Sequence, residues 1–191
     1  AGAGFLLERD TSSVPASRMC NGAESLCGLR LDEVTLATTH NSMNDNADGF
    51  RYPSQERGIE AQLEDGVRGF LVDAYLGSVR TVGNEQMVYT ELSDRQLTEV
   101  VKAVGDKPAQ RALLLRARAG PPDPDAPREV YLCHQFCEFG AVLFSQVVEV
   151  LHRFLDEHPG EVLVVIIQDE LAAEELVPVL RDGGLTPYLA T

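Results

Sequence analysis

The sequence contains no tryptophan, 6% aromatic residues and only four cysteines, and its cations are outnumbered: 16 Lys and Arg face 30 Asp and Glu. The formal charge of −14, with a pI near 4.6, sets up a field that repels a phosphate backbone, so nucleic acid is not an expected partner. Charge alone does not hold such a chain to an anionic membrane either. Long apolar runs are missing as well. The longest, Val162 to Ile167, falls far short of the ~20 residues of a membrane-spanning helix. There is no collagen-like glycine period, sustained heptad pattern, internal repeat or low-complexity tract. What is left is globular: 44% hydrophobic and 24% charged over 191 residues, enough for one domain with a core or for a piece of a larger one.

The chain begins at Ala1 rather than Met and shows no basic n-region or apolar h-region, so it reads as a processed or excised segment. Its cysteines fall in two tight pairs, Cys20/Cys27 and Cys133/Cys137. Such pairs suit two local disulfides in an oxidising compartment. Zinc is the competing reading, because His134 lies inside the second pair. The spacings CNGAESLC and CHQFC match no common zinc pattern, however. The expected setting is extracellular, for a secreted protein or a membrane-anchored ectodomain.

Residues 1–30 read as an irregular lead-in closed by the first cysteine pair, and 31–191 as one body. Val34 to Ala37 predicts a short strand running into the polar turn Thr38 to Ser42. Ile59, Leu63 and Val67 predict a short helix over 54–65, followed by a buried strand over 67–75. Ser93 to Gln96 has the form of a capping box, with Leu97, Val100, Val101 and Val104 on one helical face behind it. The proline-rich stretch 119–127 is a surface loop, and 130–133 another strand. A long helix over 141–158 is stopped by Pro159-Gly160. The continuous apolar strand 161–167 implies a sheet covered on both faces, and a helix over 171–180 follows. The order gives four βα units. Polar groups fall at the C-terminal ends of all four strands: His40 and Asn41, Asp73, His134, and Gln168 with Asp169. In parallel α/β folds that edge builds the site. A complete eight-stranded barrel takes about 250 residues. The expected fold is therefore the N-terminal half of a TIM barrel, with an open sheet needing a partner as the other possibility. The long segment 76–128 has no assigned role beyond a lid or an interaction surface.

Two histidines at neighbouring strand ends with a carboxylate between them suit acid–base work on a phosphate ester, because imidazole exchanges protons near neutral pH. An Asp and an Asn supply oxygen ligands for a hard cation such as Ca²⁺ or Mg²⁺.

Thr38-Thr39-His40-Asn41-Ser42-Met43, then Gly66 to Tyr75 (GVRGFLVDAY), Leu132-Cys133-His134 and Val165-Ile166-Ile167-Gln168-Asp169, in this order and at these intervals, resemble the catalytic X region of phosphatidylinositol-specific phospholipase C. The nearest form is that of the secreted or membrane-anchored phospholipase-C-like proteins of bacteria, fungi and plants. The resemblance covers roughly residues 20–191 and rests on four motifs together, since THNS alone is weak. It implies a distorted TIM barrel whose C-terminal half lies outside this chain, and a phospholipid or inositol-lipid substrate at a membrane surface. By position, His40 matches the general base and His134 the general acid for attack of an inositol hydroxyl on phosphorus. Asn41 and Asp73 match two calcium ligands of the metal-dependent branch. Leu71 and Gln168 stand where that branch has acidic ligands, which lowers the expected calcium affinity. Asp169 and Glu170 are neighbouring carboxylates that could replace one.

The expected activity is thus phosphoric diester hydrolysis of the phospholipase C type, with Ca²⁺ as a conditional cofactor. The alternative is a catalytically weak relative acting as a lipid- or glycan-binding module. A sphingomyelinase-D-like or glycerophosphodiester enzyme is disfavoured, because those keep a Glu-x-Asp pair where this chain reads Leu71-Val72-Asp73. Apart from the motif, each of these residues has a structural reading: a hydrogen-bonded strand-end histidine, an Asx turn at Asn41, a strand cap at Asp73. His152 and His158 read as surface residues.

Overall fold

In the computed structural model, residues 19–90, 92–120, 123, 125–169 and 171–190 are described. Most of the expected lead-in, three prolines of the 119–127 loop and Glu170 lie outside them. The strands are β1 (Thr38–His40), β2 (Gly69–Val82), β3 (Glu85–Thr90), β4 (Glu129–Leu132), β5 (Val142–Leu143) and β6 (Val164–Asp169). The helices are α1 (Ile59–Glu64), α2 (Asp94–Val104), α3 (Asp106–Ala119), α4 (Phe144–Glu157) and α5 (Ala173–Asp182).

The strands form one open, mixed sheet built around β2, and this overturns the expected half barrel of four parallel βα units. β1 and β6 pair with β2 in parallel, but β3 and β4 are antiparallel to it, and β5 is antiparallel to β4. Gly69 pairs with Thr38 and Val164, Ala74 with Leu132 and Asp169, and Gly77 with Glu129 and Thr90. β1 and β4 therefore line one edge of β2, and β6 and β3 the other. Apolar patterning identifies strands but carries no information about their direction, which is where the parallel reading failed. β2 does not end at Tyr75. It continues to Val82, where the two-residue turn Gly83-Asn84 (Gly83 at φ +65°) folds β3 back onto it. The chain then makes an α2–α3 hairpin instead of a crossover, and re-enters the sheet running the opposite way.

Strand alternation divides the sheet into two faces. Phe70, Val72 and Ala74 of β2 and Val130 and Leu132 of β4 point to one side. They form the main core with Ile59 and Leu63 of α1, Phe144, Val148 and Leu151 of α4, and Leu185. Leu71, Asp73, Tyr75, Tyr131 and Cys133 belong to the other face. Two smaller apolar clusters cover it: Phe50, Val88, Tyr131, Cys133 and Cys137, and the α2–α3 cluster of Val100, Ala109, Ala112, Phe136 and Phe139. The covering stops short of β6. Ile166 is 49% exposed and Val165 37%, so the last strand is not covered on both faces as its apolar run implied.

Both cysteine pairs are disulfides, with Cα–Cα separations of 5.0 Å for Cys20–Cys27 and 5.1 Å for Cys133–Cys137. Among the described residues no helix is long and apolar enough to cross a membrane.

Candidate active site

The His40 loop is held by a short polar lattice. Ser42 is fully buried; its N–H donates to the Leu71 carbonyl at 2.9 Å, and its hydroxyl accepts from the Leu71 N–H at 3.0 Å. Gln62 on α1 donates to the Ser42 carbonyl at 2.8 Å and accepts from the Thr39 hydroxyl at 2.7 Å. These bonds fix the end of β1 against β2 and leave the His40 side chain exposed. β1 can lie this close because the parallel register sets Thr38 opposite Gly69, where any Cβ would overlap the threonine side chain. Asn41 follows at φ +51°, a left-handed conformation that asparagine tolerates better than most residues.

His134 leaves β4 at its C-terminal end, inside the four-residue span of the Cys133–Cys137 disulfide. It meets the His40 loop through two amides: Asn41 Nδ2 lies 3.3 Å from His134 Nε2, and Asn44 Nδ2 lies 3.4 Å from His134 Nδ1. Asn44 is buried, and its nitrogen also donates to the Tyr52 carbonyl at 2.9 Å and to the Ser54 hydroxyl at 3.0 Å. The Tyr52 carbonyl can only accept, so it fixes which end of the Asn44 amide is nitrogen. Both protons of that nitrogen go to these two nearer acceptors, so its contact with His134 Nδ1 is a close approach that leaves the tautomer of the ring open.

Asp73 is 6% exposed on the same face of the sheet, level with Cys133, whose N–H donates to the Asp73 carbonyl at 3.2 Å. Burial pushes its carboxyl up to about 6, against the opposing charge of His40. Burial also lowers the His134 ring, and the charge of His40 lowers it further. The charge of His40 acts on both groups, and its chain neighbour Asn41 lies against His134, so the three residues share one end of the sheet. Gln168 stands opposite Asp73 across the β2–β6 register but is exposed, and Asp169 stands one step on, opposite Ala74. His152 and His158 lie on and just after α4, away from this face. Arg68 is also remote: it pairs with Glu161 and stacks over Phe154.

Calcium takes 6–8 oxygen ligands, charged ones among them. Here Asp73 is a single carboxylate whose charged form burial disfavours, the Asn41 amide lies against His134, and Leu71 occupies the preceding place on the same face. Among the described residues no three His, Cys, Asp or Glu side chains converge as a metal site. Among the described side chains this donor set is short of charged ligands for calcium, the side chains of Asp169 and Glu170 lying outside them, and the chemistry below is derived without the ion.

Several residues of the site carry no sequence signal. Asn44, Ser54 and Gln62 look like ordinary loop and helix residues. The α2–α3 wall beside His134 came from a segment without a motif, although the capping box that starts α2 forms as read, with the Gln96 N–H donating to the Ser93 hydroxyl at 3.3 Å. Comparison with family models, with curated proteins and with solved structures finds no match for this chain.

Proposed function

We propose that the protein is a two-histidine phosphodiesterase of the phospholipase C type, acting on an inositol lipid or another phospholipid in an extracellular setting. The carrying observation is the convergence of His40, Asp73 and His134 at one end of the sheet. His40, the exposed member, takes the proton of the attacking hydroxyl. The charged form of Asp73 favours the imidazolium so formed through space, without a direct contact. As the new P–O bond forms, the P–O bond to the leaving alcohol breaks, and its oxygen takes a proton from His134. Burial disfavours charge on His134 in the free protein, and the arriving phosphodiester anion reverses that preference. When the attacking hydroxyl sits beside the ester on the same polyol, the products are a cyclic phosphate and a free alcohol, with no water consumed. The paired disulfides support the extracellular setting.

The poor fit of the site to calcium favours a second reading, a phospholipid-binding module that has lost turnover. Rates on inositol, choline and glycerol phospholipids with His40→Ala and His134→Ala separate the two. Each substitution removes general acid or base catalysis and lowers kcat by roughly 10²–10⁴-fold. Lipid binding by an inert parent protein, unchanged in both variants, would establish the module instead.

A further inference from the structure

The loop between β1 and α1 carries two acidic side chains, Asp45 and Asp48, that the proposed reaction does not use. Asp45 is 0% exposed, and its Oδ1 accepts from the Asp48 N–H at 2.8 Å. Its Oδ2 is shielded from solvent and has no hydrogen-bond partner. A Cβ at Gly58 would stand 3.5 Å from that oxygen and 3.6 Å from Asp48 Oδ2, so the two oxygens flank one point beside Gly58. Burial, and then the charge and side chain of Asp48, push the Asp45 carboxyl above its ordinary range. Among the described residues no cation pairs with either carboxylate. The nearby arginines are engaged elsewhere: Arg51 pairs with Glu85 at 3.8 Å, Arg57 with Asp65 at 2.6 Å, and Arg153 of α4 with Glu60. A cleft of about 340 Å³ opens beside the pair between α1 and α4, and its polar lining is Asp45, Asp48, Glu60 and Gln146. A buried carboxylate oxygen without a partner costs free energy, and a second carboxylate beside it adds repulsion. A shared proton or a bound cation offsets both.

We propose that Asp45 and Asp48 hold a divalent cation, Ca²⁺ in an extracellular setting, with the Gln146 amide oxygen and water completing its shell. Hard cations of this kind take carboxylate and amide oxygens. Two carboxylates are few for calcium, which puts the affinity in the roughly 10⁻⁴–10⁻³ M range of extracellular modules. The ion ties the loop to α4. The same loop reaches the histidines through other residues: Gln55 donates to the His40 carbonyl at 2.8 Å, and Asn44 approaches His134 at 3.4 Å. None of His40, Asp73 and His134 borders the cleft, so the ion takes no part in proton transfer and the proposal stands apart from the phosphodiesterase reading.

The test follows the melting temperature and the heat of Ca²⁺ titration of the full chain at fixed ionic strength, beside Asp45→Asn, Asp48→Asn and Asp73→Asn. Calcium at about 10 mM raises the melting temperature of the parent by about 3–10 °C and binds at one site. Asp45→Asn and Asp48→Asn each remove the shift and the heat. Asp48 is exposed, so its substitution tests the site without touching the core. Asp73→Asn keeps the full response. A parent that shows neither shift nor heat would mean that the pair shares a proton instead, and would overturn the proposal. A response that survives intact in either Asp45→Asn or Asp48→Asn would also overturn it, as calcium acting elsewhere on an acidic chain. So would a response lost in Asp73→Asn, which puts the ion at the histidine site.

Discussion

One face of the sheet packs Phe70, Val72, Ala74, Val130 and Leu132 against α1, α4 and α5, with apolar side chains throughout that cluster. The other packs Leu71, Asp73, Tyr75 and Tyr131 beneath an irregular cover of loops and the α2–α3 hairpin. That cover holds a buried ion pair, a disulfide and a half-buried histidine. The first face is a scaffold that gains stability from every residue it buries. The second spends some of that stability, since Asp73, Glu138 and His134 are all held where burial disfavours their charged forms. Ionisable groups displaced from their ordinary protonation behaviour concentrate on the side where chemistry is proposed.

Substitution on the scaffold face gives the largest expected loss of stability. Phe144→Ala, at a side chain 1% exposed, should lower unfolding free energy by about 3–5 kcal/mol in denaturant titration. A smaller loss would mean that the core relaxes into the space. On the other face, Arg116→Met strands the Glu138 carboxylate, which already has one buried oxygen without a hydrogen-bond partner. A loss of up to about 3–5 kcal/mol is expected. Arg116→Met combined with Glu138→Leu should recover most of it, because the apolar pair has no charge to desolvate.

Asp73→Asn sharpens the contrast, because it should stabilise the protein while impairing it. A carboxyl raised from 3.8 to about 6 binds its proton more tightly folded than unfolded. Above pH about 6 the charged form therefore destabilises the native state, by at most ~3 kcal/mol. The variant should be the more stable protein near pH 8, and the gain should shrink through pH 6 and vanish below about 4. kcat should nevertheless fall, since His40 loses its counter-charge. His134 has the opposite sign. Its lowered ring resists protonation in the folded state, so its neutral form favours folding above the ordinary value of 6.5, and that contribution is lost as pH falls. The smallest effect belongs to the periphery. Arg30→Ala removes an exposed pair with Asp32 (2.9 Å) and should change stability by less than ~1 kcal/mol, and by less still in high salt.

The same division governs what was legible in the sequence. The scaffold face could be read, because helical and strand periodicities are the marks that burial leaves on a sequence. Phe70 and Val72 stand in the apolar run that read as a buried strand, and both are core. The ends of β4 and β6 were also found, since polar residues abruptly follow apolar runs there; β1 falls instead on Thr38–His40, read as a turn, and β2 runs past Tyr75 to Val82. The direction of β4 was not found, and β3 was not read as a strand at all, although Val82-Gly83-Asn84-Glu85 is a hairpin signal that marks it. α3 was missed because it is short of apolar residues at regular spacing. Asn44 and Arg116 were invisible because their roles depend on partners far along the chain: His134 lies 90 residues from Asn44, and Glu138 lies 22 from Arg116.

The central claim is that His40 and His134 together cleave a phosphodiester without a metal. Phosphorus NMR of the products tests it most directly, on inositol phospholipids with the wild-type chain, with and without a calcium chelator, beside His40→Ala and His134→Ala. The account predicts a cyclic phosphate resonance that persists in chelator and is absent from both variants. A cyclic product that vanishes with chelator, one that survives loss of either histidine, or no product from a protein shown to be folded would each contradict it.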